Sequence, residues 1–138
     1  MTHLKTRLSL TLRIDWSDLD TYEHVNNISI MRYLQSARVQ FWEKGGWVTS
    51  YNNFRIGHIL VSTKCDFKKA LFYPGTVMIK THVAFVKNSS FGLHHQLFDA
   101  QDNLCAESHD VAVCYDFNTE ESIRIPEELR ALMEPYTK

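Results

Sequence analysis

Asp18-Leu19-Asp20-Thr21-Tyr22-Glu23-His24-Val25-Asn26-Asn27 runs directly into Ile28-Ser29-Ile30-Met31-Arg32-Tyr33-Leu34-Gln35-Ser36-Ala37-Arg38, and this junction decides the fold. The first segment is polar, with two carboxylates, a histidine and two amides. Asp and Asn favour turns and helix N-caps because their side chains bond nearby backbone amides. Beyond it the apolar residues Ile30, Leu34, Ala37 and Phe41 recur at spacings of four, three and four, with Met31, Arg38 and Trp42 beside them. That spacing predicts a helix from Asn27 to about Lys44, capped by Asn26 or Asn27 and ended by Gly45-Gly46. Its apolar surface exceeds one narrow stripe, so the helix is expected to be wrapped on several sides.

Outward from the helix the period changes to two. Residues 4–16 alternate, with Leu4, Leu8, Leu10, Leu12, Ile14 and Trp16 on one face. That is a half-buried strand. After a loop containing Tyr51-Asn52-Asn53, Val61, Thr63, Cys65 and Phe67 alternate with polar residues. Tyr73-Pro74-Gly75 then turns the chain. Val77 to Phe85, Phe91 to Leu97 and Val111 to Phe117 repeat the pattern, separated by Lys87-Asn88-Ser89 and Gln101-Asp102-Asn103. Three turns between four strands predict an antiparallel meander. Pro126 with Glu127 and Glu128 opens a short last helix carrying Leu129, Leu132 and Met133. The expected class is therefore α+β in one domain, residues 1–138: a five-stranded antiparallel sheet curled around one long helix.

Composition narrows the function. Net charge is −1 over 138 residues, which argues against nucleic acid or an acidic membrane as partner. Three cysteines, Cys65, Cys105 and Cys114, have no paired spacing, which favours a reducing compartment. There is no secretory h-region and no long apolar run, so a cytoplasmic location is expected. No H-x-x-x-H or C-x-x-C pair occurs, and His94-His95 would face opposite sides of a strand, so no metal is expected. His82, His95 and His109 are read as solvent-facing or ordinarily hydrogen-bonded. The absence of G-x-S-x-G and of phosphate-loop motifs removes serine-triad and nucleotide chemistries.

The pattern D-x-D-x-x-x-H-V-N-N, with Tyr33 and Ala37-Arg38, resembles the opening signature of the hotdog-fold acyl-CoA thioesterases, in their 4-hydroxybenzoyl-CoA thioesterase-like branch. Weaker likeness continues through Tyr73-Pro74-Gly75, Lys87 to Phe91, Tyr115-Asp116 and Ile125-Pro126-Glu127. Three residues depart from the pattern: Glu23 where Gly is usual, Ile30 where Tyr is common and Ser36 where Glu often precedes Ala-Arg. The resemblance implies a hotdog fold and hydrolysis of an acyl-CoA thioester without a cofactor. An acyl carrier protein thioester is an equivalent substrate chemically.

Asp20 matches the acting carboxylate, as nucleophile or as general base toward water. The helix N-terminus offers unpaired N–H groups, and the amides of His24 and Val25 are the expected carbonyl donors. Asp18 matches a loop-holding partner. Asn26, Asn27, Ile30 and Tyr33 are expected around the substrate, with Ile30, Tyr33 and Phe41 lining the acyl pocket. Lys87, Ser89 and Ser90, together with Lys64, Lys68 and Lys69, are candidates for the coenzyme phosphates. On local chemistry alone the same loop residues serve as turn and cap residues, Ser36 as a small spacer, and the lysines as a solvated face. A non-catalytic acyl-binding module and a hotdog hydratase or dehydratase are the competing functions. The free sheet edges, and a site that in this family lies between subunits, imply a homodimer or homotetramer.

Overall fold

The computed structural model describes residues 5 and 7–138. Strand β1 spans Leu8–Arg13 and helix α1 spans Asn27–Lys44. A second helix, α2, covers Trp47–Phe54, followed by β2 (Ile56–Phe67), β3 (Thr76–Val86), β4 (Ser90–Phe98) and β5 (Leu104–Asp116). A two-residue β6, Glu121–Ser122, and helix α3, Glu127–Met133, complete the chain. The strands form one antiparallel sheet in the order β1-β3-β4-β5-β2, with β6 beside β5. It curls around α1, giving the α+β hotdog arrangement.

Helix α1 begins and ends where the residues demand. The Asn26 side chain accepts from the Ile28 amide at 2.8 Å, and the chain leaves the helix at Gly45. Ile30, Leu34, Ala37 and Phe41 are all buried against the concave face of the sheet. Two apolar clusters fill that space. One gathers Phe41, Trp42, Trp47 and Phe91; the other gathers Ile30, Tyr33, Leu34 and Leu97. Between them a polar belt crosses four elements: Arg38 of α1, Thr81 of β3, His95 of β4 and Asp110 of β5, all buried.

Six expectations need correction. The first strand ends at Arg13, and Trp16 lies in a 3-10 turn with its ring 71% exposed, because Asp15 caps that turn and breaks the alternation. The part of the expected strand at Leu4 lies outside the described residues. The Tyr51-Asn52-Asn53 segment is helical. Its eight residues are too few to display a period, and it stops at Arg55 in the left-handed region (φ 59°). The four later strands are not one meander: β2 crosses to the far edge and pairs with β5, so only β3, β4 and β5 are consecutive neighbours. The Tyr73-Pro74-Gly75 turn therefore ends a crossover and does not close a hairpin. Within β2 the register jumps between Leu60 and Ser62, leaving Val61 as a bulge that is 55% exposed. In β5 the buried face carries the small and polar residues Ala106, Ser108, Asp110, Ala112 and Cys114, not Val111, Val113 and Tyr115.

Candidate active site

The loop before α1 is a small knot of backbone bonds. Leu19 pairs with Val25, the Asp20 amide donates to the His24 carbonyl at 2.8 Å, and the Asn26 amide donates to the Asp18 carbonyl at 2.8 Å. Glu23 sits in the left-handed region at φ 65°. This explains why Gly is usual there: Glu adopts that backbone angle only against steric resistance. The tight turn aims Asp20 and His24 outward on the same side.

Asp18 and Asp20 divide their tasks. Asp18 is buried; its carboxylate accepts from Arg32 Nη2 at 2.6 Å, Tyr33 Oη at 2.5 Å and the Asp15 amide at 3.1 Å. Burial is the strongest influence on its acidity and pushes the pKa up. The Tyr33 and Asp15 hydrogen bonds and the Arg32 charge together outweigh it and hold the carboxyl below the usual range. Burial and the Asp18 carboxylate push the Tyr33 hydroxyl well above its ordinary pKa. Asp18 and Tyr33 thus anchor the loop to the helix from inside and do not line a binding surface.

Asp20 is exposed. Its Oδ1 accepts from the amides of Tyr22 at 2.8 Å and His24 at 3.3 Å, which orients the carboxylate and leaves Oδ2 without a protein donor among the described residues. It opens onto a cleft of about 430 Å³ shared with His24, Val25, Asn27 and Ile30. The far wall is Phe67, Lys68, Lys69 and Ala70, at the end of β2 and just beyond it. The His24 ring meets the Phe72 ring edge-on, with centroids 5.0 Å apart.

The two amides expected to meet the carbonyl are already bonded within the chain. The His24 amide is engaged by Asp20, and the Val25 amide donates to the Leu71 carbonyl at 2.9 Å. Neither points at the cleft unpaired. Asn27 is the first residue of α1, and its N–H has no intrahelical acceptor by position. It lines the cleft beside Asp20. Asn26 acts as the cap, and Ile30 forms part of the buried floor.

The basic groups separate into two sets. Lys68 and Lys69 line the cleft, their amides fixed on the Cys105 carbonyl. They lie past the end of β2, not on the strand with Lys64. Lys87, Ser89 and Ser90 sit at the β3–β4 turn, where Arg130 donates to the carbonyls of Lys87 and Asn88. Along β4 this turn pairs at Ser90 with Val113, whereas the cleft end pairs at Leu97 with Ala106. The two are about 23 Å apart at the rise of a strand. One chain does not bring that turn to the cleft. Phe41 is fully buried in the other apolar cluster, away from Asp20. Ser36 is exposed, and its hydroxyl donates to the Arg32 carbonyl at 3.3 Å. The crossover residues Ala70, Leu71 and Phe72 escaped the sequence reading because they alternate with nothing and carry no polar motif.

A helix N-terminus facing a loop carboxylate inside a curled antiparallel sheet defines a hotdog thioesterase-like protein. The sequence model of the thioesterase-like superfamily matches residues 14–133, and the chain belongs to that family. It is similar to the long-chain acyl-CoA thioesterase FadM of Escherichia coli, with 24% identity over 125 residues, covering 87% of this chain and 92% of FadM. Among solved structures, a Pseudomonas aeruginosa protein is 26% identical with a TM-score of 0.81, covering 94% of this chain and 91% of its own. A Staphylococcus aureus protein solved in complex with CoA superposes with a TM-score of 0.89 at 12% identity, covering 99% of this chain and 87% of its own. Among the described residues no helix is long and apolar enough to cross a membrane.

Proposed function

We propose that this chain hydrolyses acyl-CoA thioesters to the free acid and coenzyme A. The observation that carries the reading is the shared cleft of Asp20 and Asn27: a carboxylate with an uncommitted oxygen stands opposite the first N–H of α1. A thioester carbonyl seated between them receives a hydrogen bond from the Asn27 amide. The partial positive charge of the helix end then stabilises the developing oxyanion. Asp20 Oδ2 attacks the carbonyl carbon, expelling the coenzyme thiolate and leaving a mixed anhydride that water then hydrolyses to the free acid, or it removes a proton from a water that attacks the carbonyl and expels the thiolate directly. Lys68 and Lys69 offer positive charge at the cleft wall for the phosphates. The family membership and the likeness to FadM support the substrate class. A hydratase is less well supported, because the His24 ring meets Phe72 and has no carboxylate partner among the described residues.

The working unit in this reading is at least a dimer. Among the described residues, strand β2 pairs on one side only, with β5, and leaves the other edge of a twelve-residue strand open. Such an edge pairs readily with a second copy. Antiparallel pairing about a two-fold axis sets the partner's Ser90 end beside this subunit's Phe67 end. The partner's Lys87 turn then reaches the cleft that its own subunit leaves distant.

The test is an acyl-CoA panel read by free-thiol release, with wild type and Asp20→Asn compared. Asn keeps the Oδ1 acceptor that holds the loop but removes the charge. Turnover is expected to fall by at least a hundredfold with an unchanged thermal midpoint. Full turnover in folded Asp20→Asn would overturn the catalytic assignment.

A further inference from the structure

On the convex face of the sheet, away from the helix, three histidines stand in one row. His82 of β3 pairs with His94 of β4, which pairs with His109 of β5. The His94 and His109 rings stack with centroids 4.5 Å apart and planes 14° apart, and the His82 ring lies 4.7 Å from His94. Glu107, two residues before His109 on the same face of β5, completes the group. Its Oε1 lies 2.5 Å from His94 Nε2 and 4.0 Å from His109 Nε2, so both imidazoles address the same carboxylate oxygen. Lys68 approaches the other oxygen, Oε2, at 3.9 Å, which leaves Oε1 to the histidines.

We propose that His94, His109 and Glu107 bind one zinc-class dication, with water in the remaining coordination positions. The three ligand atoms already lie within 4.8 Å of one another. Around zinc, with bonds of about 2.0–2.2 Å, neighbouring ligand atoms sit roughly 3.3 Å apart. Closing the site takes a movement on the order of 1 Å, which the His109 side chain, 56% exposed, supplies by rotation. Two imidazoles and one carboxylate favour zinc, nickel, copper or cobalt over calcium and magnesium, which prefer all-oxygen sets. The ligands come from adjacent strands, so no local sequence spacing announces them. Bound metal ties β4 to β5.

The full-length chain, free of any affinity tag and stripped with chelator, is titrated with Co²⁺ and back-titrated with Zn²⁺. One equivalent per chain is expected, with visible ligand-field absorption that Zn²⁺ abolishes. His94→Gln, His109→Gln and Glu107→Gln each weaken binding at least tenfold. Equal stoichiometry and affinity in the His94→Gln/His109→Gln double variant would overturn the site, as would no uptake by wild type at hundred-micromolar metal. A second measurement needs no variant. Substoichiometric Ni²⁺ should broaden the ring-proton NMR signals of His94 and His109 before those of the remaining histidines; first broadening elsewhere contradicts the proposal.

Discussion

Arg38 Nε lies 3.0 Å from Asp110 Oδ2, and the two side chains are only 9% and 1% exposed. His95 Nε2 reaches the same oxygen at 2.8 Å, and its Nδ1 meets Thr81 Oγ1 at 2.7 Å. Thr63 Oγ1 donates to Asp110 Oδ1 at 2.7 Å. A carboxylate only accepts, so His95 donates to it from Nε2, while Nδ1 shares a hydrogen bond with the Thr81 hydroxyl. Arg38 is balanced by Asp110. These belt side chains are thus paired, while the neighbouring Ser108 Oγ, opposite His95 on β5, is buried without a partner among the described residues.

Removing one member leaves the opposite charge buried alone. Asp110→Asn is expected to cost about 3–5 kcal/mol in urea unfolding. Arg38→Met with Asp110→Leu together should recover only part of that, because the apolar pair leaves no buried charge but strands the His95 Nε2 and Thr63 Oγ1 donors. Burial pushes the Asp110 carboxyl up, but the His95 hydrogen bond and charge, Thr63 and Arg38 outweigh it and hold it below the usual range. Its folded pKa is below its unfolded one, so its contribution is present above about pH 4 and is lost as pH falls through the folded value. Acid unfolding of Asp110→Asn, measured relative to its own neutral stability, should be shallower than that of wild type. An equally steep acid limb would contradict the pairing.

Asp18 and Asp20 make a matched contrast. Asp18→Asn places a neutral group before Arg32 and Tyr33 in a buried site. It should cost about 1.5–3 kcal/mol and also flatten the acid limb, since the folded carboxyl of Asp18 titrates low. Asp20→Asn is at an exposed position and should shift stability by no more than about 0.5 kcal/mol. Chemical denaturation of both variants beside their turnover separates anchor from reacting group. The reverse ranking in stability would show the two roles exchanged.

Much of this architecture is legible in the chain. The Asn26 cap, the four-three-four spacing and Gly45 define α1 because each acts within a few residues. The hairpin turns of β3, β4 and β5 are local in the same sense. What escaped is non-local. The crossing of β2 to the far edge depends on which sheet face α1 must cover, and the Val61 bulge depends on β5. The fate of the Val25 amide was decided by Leu71, far along the chain. His95 reads as a solvent-facing or ordinarily hydrogen-bonded residue; only the fold shows that it and Asp110 face inward to Arg38.

The Lys87 turn supplies a test of assembly. It is distant from its own cleft, so any effect on substrate points to the partner subunit. Lys87→Ala should raise KM severalfold, with kcat nearly unchanged, since a contact remote from the thioester is made equally in ground and transition states. The effect should shrink with added salt and vanish on a truncated thioester lacking the nucleotide. Light scattering should report an even multiple of the 16.1 kDa chain. A fully active monomer, or a Lys87→Ala defect in kcat alone, would refute the composite site.

Asn27 allows the helix amide to be removed without removing the helix. Proline is well tolerated at the first helical position, where its missing N–H bonds nothing within the helix. The preceding residue must then be extended, and Asn26 already is, at φ −63° and ψ 143°. Asn27→Pro should therefore leave the thermal midpoint close to that of wild type. If the Asn27 amide holds the oxyanion, kcat should fall by about a hundred- to a thousandfold, the loss typical of one such donor. Asn27→Ala keeps the amide and loses only the side chain, so its kcat should stay within a few fold of wild type. A folded Asn27→Pro variant with full turnover would move the oxyanion donor elsewhere. Parallel losses in the Pro and Ala variants would instead assign the effect to the carboxamide side chain.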